Sequence, residues 1–373
     1  MNALAKLAPY WPRQQKNKVI AGPIGIDLAL EHMHLVQLTR TSDGSIAVNA
    51  RASVAYPAGR DAVFGTGSEL TRLLRAALRS GSFSSRRAVV ALPGGKFRTM
   101  SVAYQLKPGQ SESKILKNLM QDRLDGDLSD YVIDFIPVRA RSRDADRVAL
   151  VAASPREPVI EFLEAIRKAG LSVDALEIGP LSIRRLIGAL PEMTPEDNVV
   201  VVNTGLTTTY VTVLAGRRLL SDQDFLFGEN TLLKQLSSSL DMTVDASRKL
   251  VMRTGLEPLT REDQVSVALN ETGVFNTLLE IIKPELMRLV TEIERAVLFT
   301  SSETHGGTVS RIYLVGALTR WHGVAAALKN ILGLEVSNLS APLKSFEAIE
   351  EADSSPEIAV AAGLALRGLV EDD

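Results

Sequence analysis

A hairpin pattern that occurs twice is the feature that most constrains how this chain can fold. Residues 24–39 and 199–214 each begin with an apolar strand that ends in an acid or its amide, Asp27 in the first copy and Asn203 in the second. A tight turn follows, and a second strand returns with the period-two alternation that is typical of a β-hairpin. Because a third strand comes after each hairpin, we predict that the chain is a duplication of one unit.

The order of elements after each third strand is also repeated, as helix, strand and helix. In the first half, residues 86–153 carry strands on both sides of a helix, which predicts a small α+β insert with an exposed sheet edge. The acidic stretch 191–197 holds two prolines and marks the clearest boundary. We therefore expect a flexible leader over 1–20, a first lobe over 21–190 and a second lobe over 191–373. This order indicates the α/β, actin-like (ribonuclease-H-type) duplicated two-lobed fold.

The helical pattern of the second half predicts two further helices, over residues 275–302 and 319–332. In the first of them, Pro284 either kinks the helix or starts a new segment. The segment 257–270 is a less certain helix.

Length and composition narrow the class of protein further. At 373 residues the chain is too long for one ordinary core, which fits two lobes. A formal net charge of -2 provides no overall field that would hold nucleic acid, and the lack of cysteine excludes disulfides and thiolate metal sites. No apolar run approaches the roughly 18 residues needed to cross a bilayer, so we expect no transmembrane segment.

The two hairpin turns are the candidate functional site. In a two-lobed fold of this kind they face each other across a cleft, where main-chain N–H groups can hold a polyphosphate. Asp27 is placed to hold Mg²⁺ and its waters, whereas its counterpart Asn203 is neutral. The first turn has Ala29 and Glu31 where small polar residues would let a phosphate approach, and Glu31 would repel it. The second turn is better suited to phosphate binding, because it contains Gly205 and three threonine hydroxyls.

If ATP and Mg²⁺ bind, the predicted contacts come from these two turns and from the turn after a late strand. The predicted nucleotide-site residues are Asp27, Ala29, Asn203, Gly205, Thr207, Thr208, Gly316 and Ala317. Asp27 is the one predicted metal ligand, and no residue is predicted to be catalytic. We expect weak ATPase activity at most.

Several stretches together resemble the PilM family of cytoplasmic actin-like type IV pilus assembly proteins, which are relatives of the cell-division protein FtsA. The stretches that carry the resemblance are Gly25-Ile26-Asp27-Leu28, Asn203-Thr204-Gly205, Phe227-Gly228-Glu229-Asn230, residues 311–316, residues 359–369, Leu92-Pro93-Gly94 and residues 134–138. Each of them is a weak motif, but their order and spacing are specific, and they extend over about residues 20–369.

The resemblance implies a scaffold at the inner face of the bacterial inner membrane. Such proteins bind ATP and are held by the cytoplasmic N-terminal tail of the membrane protein PilN, in a groove between the first lobe and the insert. By that similarity, the groove here would be lined around residues 98–104 and 131–138. The resemblance also implies contacts with other pilus or secretion platform proteins, and it allows a homo-oligomer. The departures at Ala29, Glu31, Asn203 and Ala317 predict a degenerate nucleotide cleft.

Other functions stay open at this stage. One is a working ATP-binding switch of the same family, and another is the GspL-like cytoplasmic component of a type II secretion system. A phosphotransferase of this fold would need an acidic base, for which Asp27, Glu31 and Glu177 are the candidates. His32 and His34 share one face of a strand and form a weaker candidate metal pair.

Overall fold

The computed structural model describes residues 20–29, 31–41, 44–57, 59–140, 147–190, 193–256, 269–339 and 356–370. The expected leader lies outside these ranges except for Ile20, and the less certain helix at 257–270 lies outside them except for its last two residues.

Thirteen strands are found in the described part of the chain. They are β1 Ile20–Leu28, β2 His32–Arg40, β3 Ile46–Ala55, β4 Arg87–Leu92, β5 Arg98–Tyr104, β6 Tyr131–Ala140, β7 Arg147–Pro155, β8 Ser172–Ile178, β9 Asn198–Thr204, β10 Thr209–Ala215, β11 Arg218–Phe225, β12 Val309–Gly316 and β13 Val336–Asn338.

The helices within the same ranges are α1 Arg60–Phe64, α2 Gly67–Ser80, α3 Glu112–Met120, α4 Arg156–Lys168, α5 Gly179–Gly188, α6 Glu229–Ser239, α7 Val244–Thr254, α8 Leu269–Glu303, α9 Val324–Leu332 and α10 Ala359–Ala365. None of the described helices combines the length and the hydrophobicity that a bilayer span requires.

Two five-stranded sheets share one topology. Their strand orders are β3-β2-β1-β4-β8 and β11-β10-β9-β12-β13. In each, the first strand pairs antiparallel with the second and parallel with the fourth. Asp27 and Asn203 occupy the same place, the next-to-last position of the first strand of their sheet. The duplication that the hairpins predicted is therefore present.

The insert is smaller than predicted at its N-terminal end. It consists of the antiparallel sheet β5-β7-β6 and α3, which packs on one face of that sheet. Strand β4 does not belong to it, because β4 pairs in parallel with β1 and β8 within the first large sheet. The expected start at residue 86 is therefore corrected to a position after β4, since the inserted sheet begins at Arg98.

Helices α5 and α10 pack against each other between the two large sheets, and glycine makes this packing possible. A Cβ atom at Gly363 of α10 would lie 2.0 Å from the main-chain oxygen of Ser182 on α5. A Cβ atom at Gly25 of β1 would lie 2.0 Å from the main-chain oxygen of Ala361. The final helix of the chain thus covers the first sheet and shares a core with the second lobe.

Helix boundaries differ from the predictions in places. Pro284 does not start a new segment, since α8 runs continuously through it from Leu269 to Glu303. The helix predicted at 319–332 begins only at Val324, because Gly323 has left-handed backbone angles and a 3-10 turn precedes it.

Candidate functional site

The two hairpin turns face each other across one cleft. The β1–β2 turn, the β9–β10 turn and the end of β12 line the same cavity. Its volume is about 110 Å³, which is below the roughly 300 to 1,000 Å³ of typical small-molecule sites. The predicted juxtaposition is thus present, but the space between the turns is small.

Most of the predicted nucleotide-site residues reach this cavity. Those that line it are Asp27, Ala29, Asn203, Gly205, Gly316 and Ala317. Thr207 is exposed and Thr208 is half-buried at the tip of the second turn, and neither lines the cavity. Gly316 has a structural reason to be glycine, because its φ is +85° and a Cβ atom there would lie 2.2 Å from the main-chain oxygen of Thr204.

Asp27 is buried at the base of the first turn. Burial raises the pKa of its carboxyl to about 7, and the guanidinium of Arg60 on α1 offsets part of that rise. Arg60 Nη2 donates a 2.9 Å hydrogen bond to the main-chain oxygen of Gly94, while its buried Nε has no hydrogen-bond partner among the described residues. A carboxyl that is partly protonated near neutral pH is a weaker ligand for Mg²⁺ than an ionised one.

The main chain of the second turn is engaged by the protein itself. The N–H of Gly205 donates a 2.8 Å hydrogen bond to the carbonyl of Thr208. At the start of α6, the N–H groups of Glu229 and Asn230 donate 2.9 Å hydrogen bonds to the carbonyls of Gly205 and Leu206. In this conformation the Gly205 amide is therefore not available to hold a phosphate.

Glu31 of the first turn reaches across the cleft to the second lobe. Its carboxylate forms a 2.5 Å ion pair with Arg320, and its other oxygen lies 3.8 Å from Arg248 on α7. Arg320 also lies 3.6 Å from Glu357, which precedes α10. The charge of Glu31 is thus met by two guanidinium groups of the opposite lobe.

Glu229 holds these two arginines on the side of the second lobe. Its side chain is fully buried and accepts a 2.5 Å hydrogen bond from Arg248 and a 2.8 Å hydrogen bond from the indole N–H of Trp321. Arg320 lies 3.5 Å from the same carboxylate. Sequence reasoning assigned no role to Glu229, although an acid directly after a glycine at a helix start was a usable signal.

A second buried acid, Asp222 on β11, lines the cleft and was missed by the sequence analysis. Its carboxylate accepts a 2.7 Å hydrogen bond from Thr212 on β10, and burial raises its pKa to about 7. Its main-chain oxygen accepts a 3.0 Å hydrogen bond from the hydroxyl of Thr99 on β5. The insert therefore touches the second lobe beside the cleft. The sequence pattern that could have identified Asp222 is an acid shortly after the apolar pair Leu219 and Leu220 within a strand.

A groove separates the insert from the first lobe. On the side of the insert it is lined by residues 132 and 134–136 of β6 and by residues 150 and 152–154 of β7, and on the side of the first lobe mainly by apolar residues of β4, β8, α4 and α5. Strand β6 is an edge strand, since the sheet order is β5-β7-β6. The predicted lining by residues 131–138 agrees with this groove. The predicted lining by 98–104 does not, because β5 is the opposite edge of the sheet.

Of the two histidines on β2, His34 contacts a hydroxyl group within the protein. The Nδ1 atom of His34 lies 2.9 Å from the hydroxyl of Ser53, and burial lowers the pKa of His34 to about 4. The rings of His32 and His34 are 6.0 Å apart. Within the described ranges, no group of three or more histidine, aspartate or glutamate side chains could hold a metal ion.

Solved structures of similar fold support the two-lobed architecture. A chain of the PilM-PilN type IV pilus biogenesis complex matches with a TM-score of 0.71 and 21% sequence identity, over 94% of this chain and 99% of that one. The ethanolamine utilization protein EutJ from Carboxydothermus hydrogenoformans matches with a TM-score of 0.52 and 13% identity, over 93% of this chain and 89% of that one. The predicted actin-like fold is confirmed.

The comparison with protein families agrees with the motifs and their order. The model of the family described as type IV pilus assembly protein PilM matches residues 25–369. This range spans both large sheets, the insert and the closing helix α10. The chain therefore belongs to the PilM family of type IV pilus assembly proteins.

Proposed function

We propose that this protein is an actin-like scaffold of type IV pilus assembly that docks on the cytoplasmic N-terminal tail of a PilN-like inner-membrane protein. The observation that carries the proposal is the apolar groove between the insert and the first lobe, with the edge strand β6 along it. The family membership and the structural match to a chain of a PilM-PilN complex support the identity of the partner. Docking on such a tail would place the protein at the inner face of the inner membrane.

The groove suits an extended, largely apolar peptide. An added strand can bond to the open main chain of β6 while its alternate side chains enter the groove. Val132 of β6 is 37% exposed and offers an apolar contact, and Asp134 adds a carboxylate that is complementary to a basic residue of the tail. Pro137 lacks an N–H, which is tolerated because β6 is an edge strand.

We further infer that the nucleotide cleft is degenerate. Three observations support this: the small cavity between the turns, the engagement of the Gly205 amide with Thr208, and the neutral Asn203 at the position that corresponds to Asp27. The residues present therefore fit Mg·ATP poorly, and no step of the proposed function passes through it.

Fluorescence anisotropy with a labelled peptide of the partner's N-terminal tail tests the docking. We expect Val132→Asp to weaken binding by about tenfold or more, because it places a charge against the apolar groove. Val244→Asp on α7 is the matched control, since Val244 is 38% exposed but remote from the groove. Equal binding by Val132→Asp and by the unaltered protein would contradict the proposed groove.

Calorimetry with Mg·ATP tests the second part separately. We expect no binding heat up to millimolar ATP. A micromolar affinity for Mg·ATP would instead support an ATP-dependent switch. It would not contradict the docking proposal.

A further inference from the structure

We propose that Glu31 is a built-in latch that joins the two lobes across the cleft without any bound ligand. The latch lies in the cleft and not in the docking groove, so its loss and the loss of peptide binding can be observed separately.

The contacts of Glu31 cross between the lobes. Glu31 belongs to the β1–β2 turn of the first sheet, whereas Arg320 follows β12 and Arg248 lies on α7 of the second lobe. Each carboxylate oxygen of Glu31 faces one of these guanidinium groups, at 2.5 Å and 3.8 Å. One side chain of the first lobe therefore contacts two separate elements of the second.

The arginines that face Glu31 are also held by residues of the second lobe. The buried carboxylate of Glu229 holds Arg248 at 2.5 Å and is itself held by the indole of Trp321 at 2.8 Å. Arg320 Nε also donates a 3.2 Å hydrogen bond to the main-chain oxygen of Ala317. Such preorganised guanidinium groups lose little side-chain freedom when a carboxylate binds them.

The position of the latch explains why the first turn departs from a phosphate-binding turn. A phosphate between two such turns would link the lobes through main-chain N–H groups of both. In this chain a carboxylate carried by the first turn supplies the negative charge, and the arginines of the second lobe supply the positive charge. The charges across the cleft are then balanced without a bound anion, and this contact adds to the core that α10 shares with the second lobe.

The latch is only partly shielded from solvent. The exposed fractions are 28% for Glu31, 25% for Arg320 and 30% for Arg248. Ion pairs of this kind are screened by salt. The distance between the lobes in the unaltered protein should therefore depend on ionic strength.

A distance measurement between the lobes tests the latch. The chain has no cysteine, so spin labels can be placed at Lys168→Cys on α4 and Lys249→Cys on α7, both of which are well exposed. We expect one narrow distance distribution for the labelled protein and a broader, longer one for Glu31→Ala. The matched control is Glu69→Ala, which removes an ion pair with Arg72 within α2 and should leave the distribution unchanged.

Two further measurements use the same labels. At constant ionic strength, replacing chloride by formate should narrow the distribution of Glu31→Ala towards that of the parent, because formate restores a carboxylate between the arginines, and it should not affect the parent. Raising the salt concentration should broaden the distribution of the parent and change Glu31→Ala little. An identical distribution for Glu31→Ala and the parent at low salt would overturn the latch, as would equal salt responses of the two.

Discussion

Arg185 of α5 donates two hydrogen bonds, of 2.9 and 3.0 Å, to the carboxylate of Glu177 at the end of β8, and both side chains are buried. Arg185 also bonds to the main-chain oxygen of Gly363 on α10 at 3.0 Å, and Arg367 pairs with the same carboxylate. Glu177 lines the groove beside the insert and not the cleft between the turns. The proposal that it could be an acidic base of a phosphotransferase in the cleft is therefore wrong.

We predict that Glu177→Gln lowers the free energy of unfolding by about 3 to 5 kcal/mol, because it leaves the guanidinium of Arg185 buried without its counter-charge. Urea denaturation followed by circular dichroism measures the change. Glu69→Gln, on the exposed face of α2, is the control and should leave the midpoint nearly unchanged. Only a small decrease in the free energy of unfolding of Glu177→Gln would mean that water reaches the guanidinium of Arg185.

The buried acid Asp222 predicts a pH dependence of stability. Burial raises its pKa from 3.8 to about 7 in the folded protein. Between these values the folded state holds a proton that the unfolded state has lost, so stability falls as the pH rises through this window. Above pH 7, the buried carboxylate of Asp222 lowers the free energy of unfolding by on the order of 4 kcal/mol.

Asp222→Asn removes this titration and keeps an oxygen that can accept the hydrogen bond from Thr212. We therefore expect the variant to be more stable than the parent at pH 8 and nearly equal to it at pH 4, as measured by urea denaturation at both values. Asp27 has a raised pKa for the same reason, so part of the pH dependence should remain in the variant. A constant difference between variant and parent at both pH values would show that Asp222 is ionised throughout.

The hairpins, the order of the strands and the candidate cleft were predictable because they depend on local patterns. Period-two alternation identifies a strand, and the equivalent positions of Asp27 and Asn203 follow from the repeat. The partner of Glu31 was not predictable, since Arg320 lies 289 positions further along the chain. A pattern of residue types says which segments form strands, but it does not say which charges meet across lobes.

Two other features of the fold could not be predicted from local sequence patterns. Strand β4 is followed directly by the inserted sheet, and its apolar run fits either sheet, so only its pairing with β1 and β8 assigns it to the first lobe. Pro284 does not end the helix around it, although proline in a helix interior favours a break. Tertiary packing outweighs that preference, because Ile282, Leu286 and Leu289 of α8 are fully buried around it.

Trp321 provides a test of the buried network around Glu229. The variant Trp321→Phe removes the indole N–H that donates to this carboxylate and leaves a small cavity. We expect a loss of about 2 kcal/mol or more in the free energy of unfolding. Tyr131→Phe is a suitable control, since it removes an exposed hydrogen bond to the main chain of Asp125. Equal effects of the two substitutions would argue against a rigid network.

The contact between β1 and α10 gives the most local prediction. Gly25 has no room for a side chain, because a Cβ atom would lie 2.0 Å from the oxygen of Ala361 and 2.6 Å from the nitrogen of Ala365. Both of those atoms belong to the main chain of a helix, so neither can rotate away. We expect Gly25→Ala to displace α10 and to lower the free energy of unfolding by about 3 kcal/mol or more.

Gly67→Ala is the control for this steric argument, because the nearest atom to a Cβ at Gly67 is 3.7 Å away and alanine is the better helix former. The urea midpoint of Gly67→Ala should equal or exceed that of the parent. Hydrogen exchange of α10 separates displacement from general destabilisation, since a displaced helix loses protection before the rest of the first lobe unfolds. Full protection of α10 in Gly25→Ala would show that the helix does not depend on this close approach.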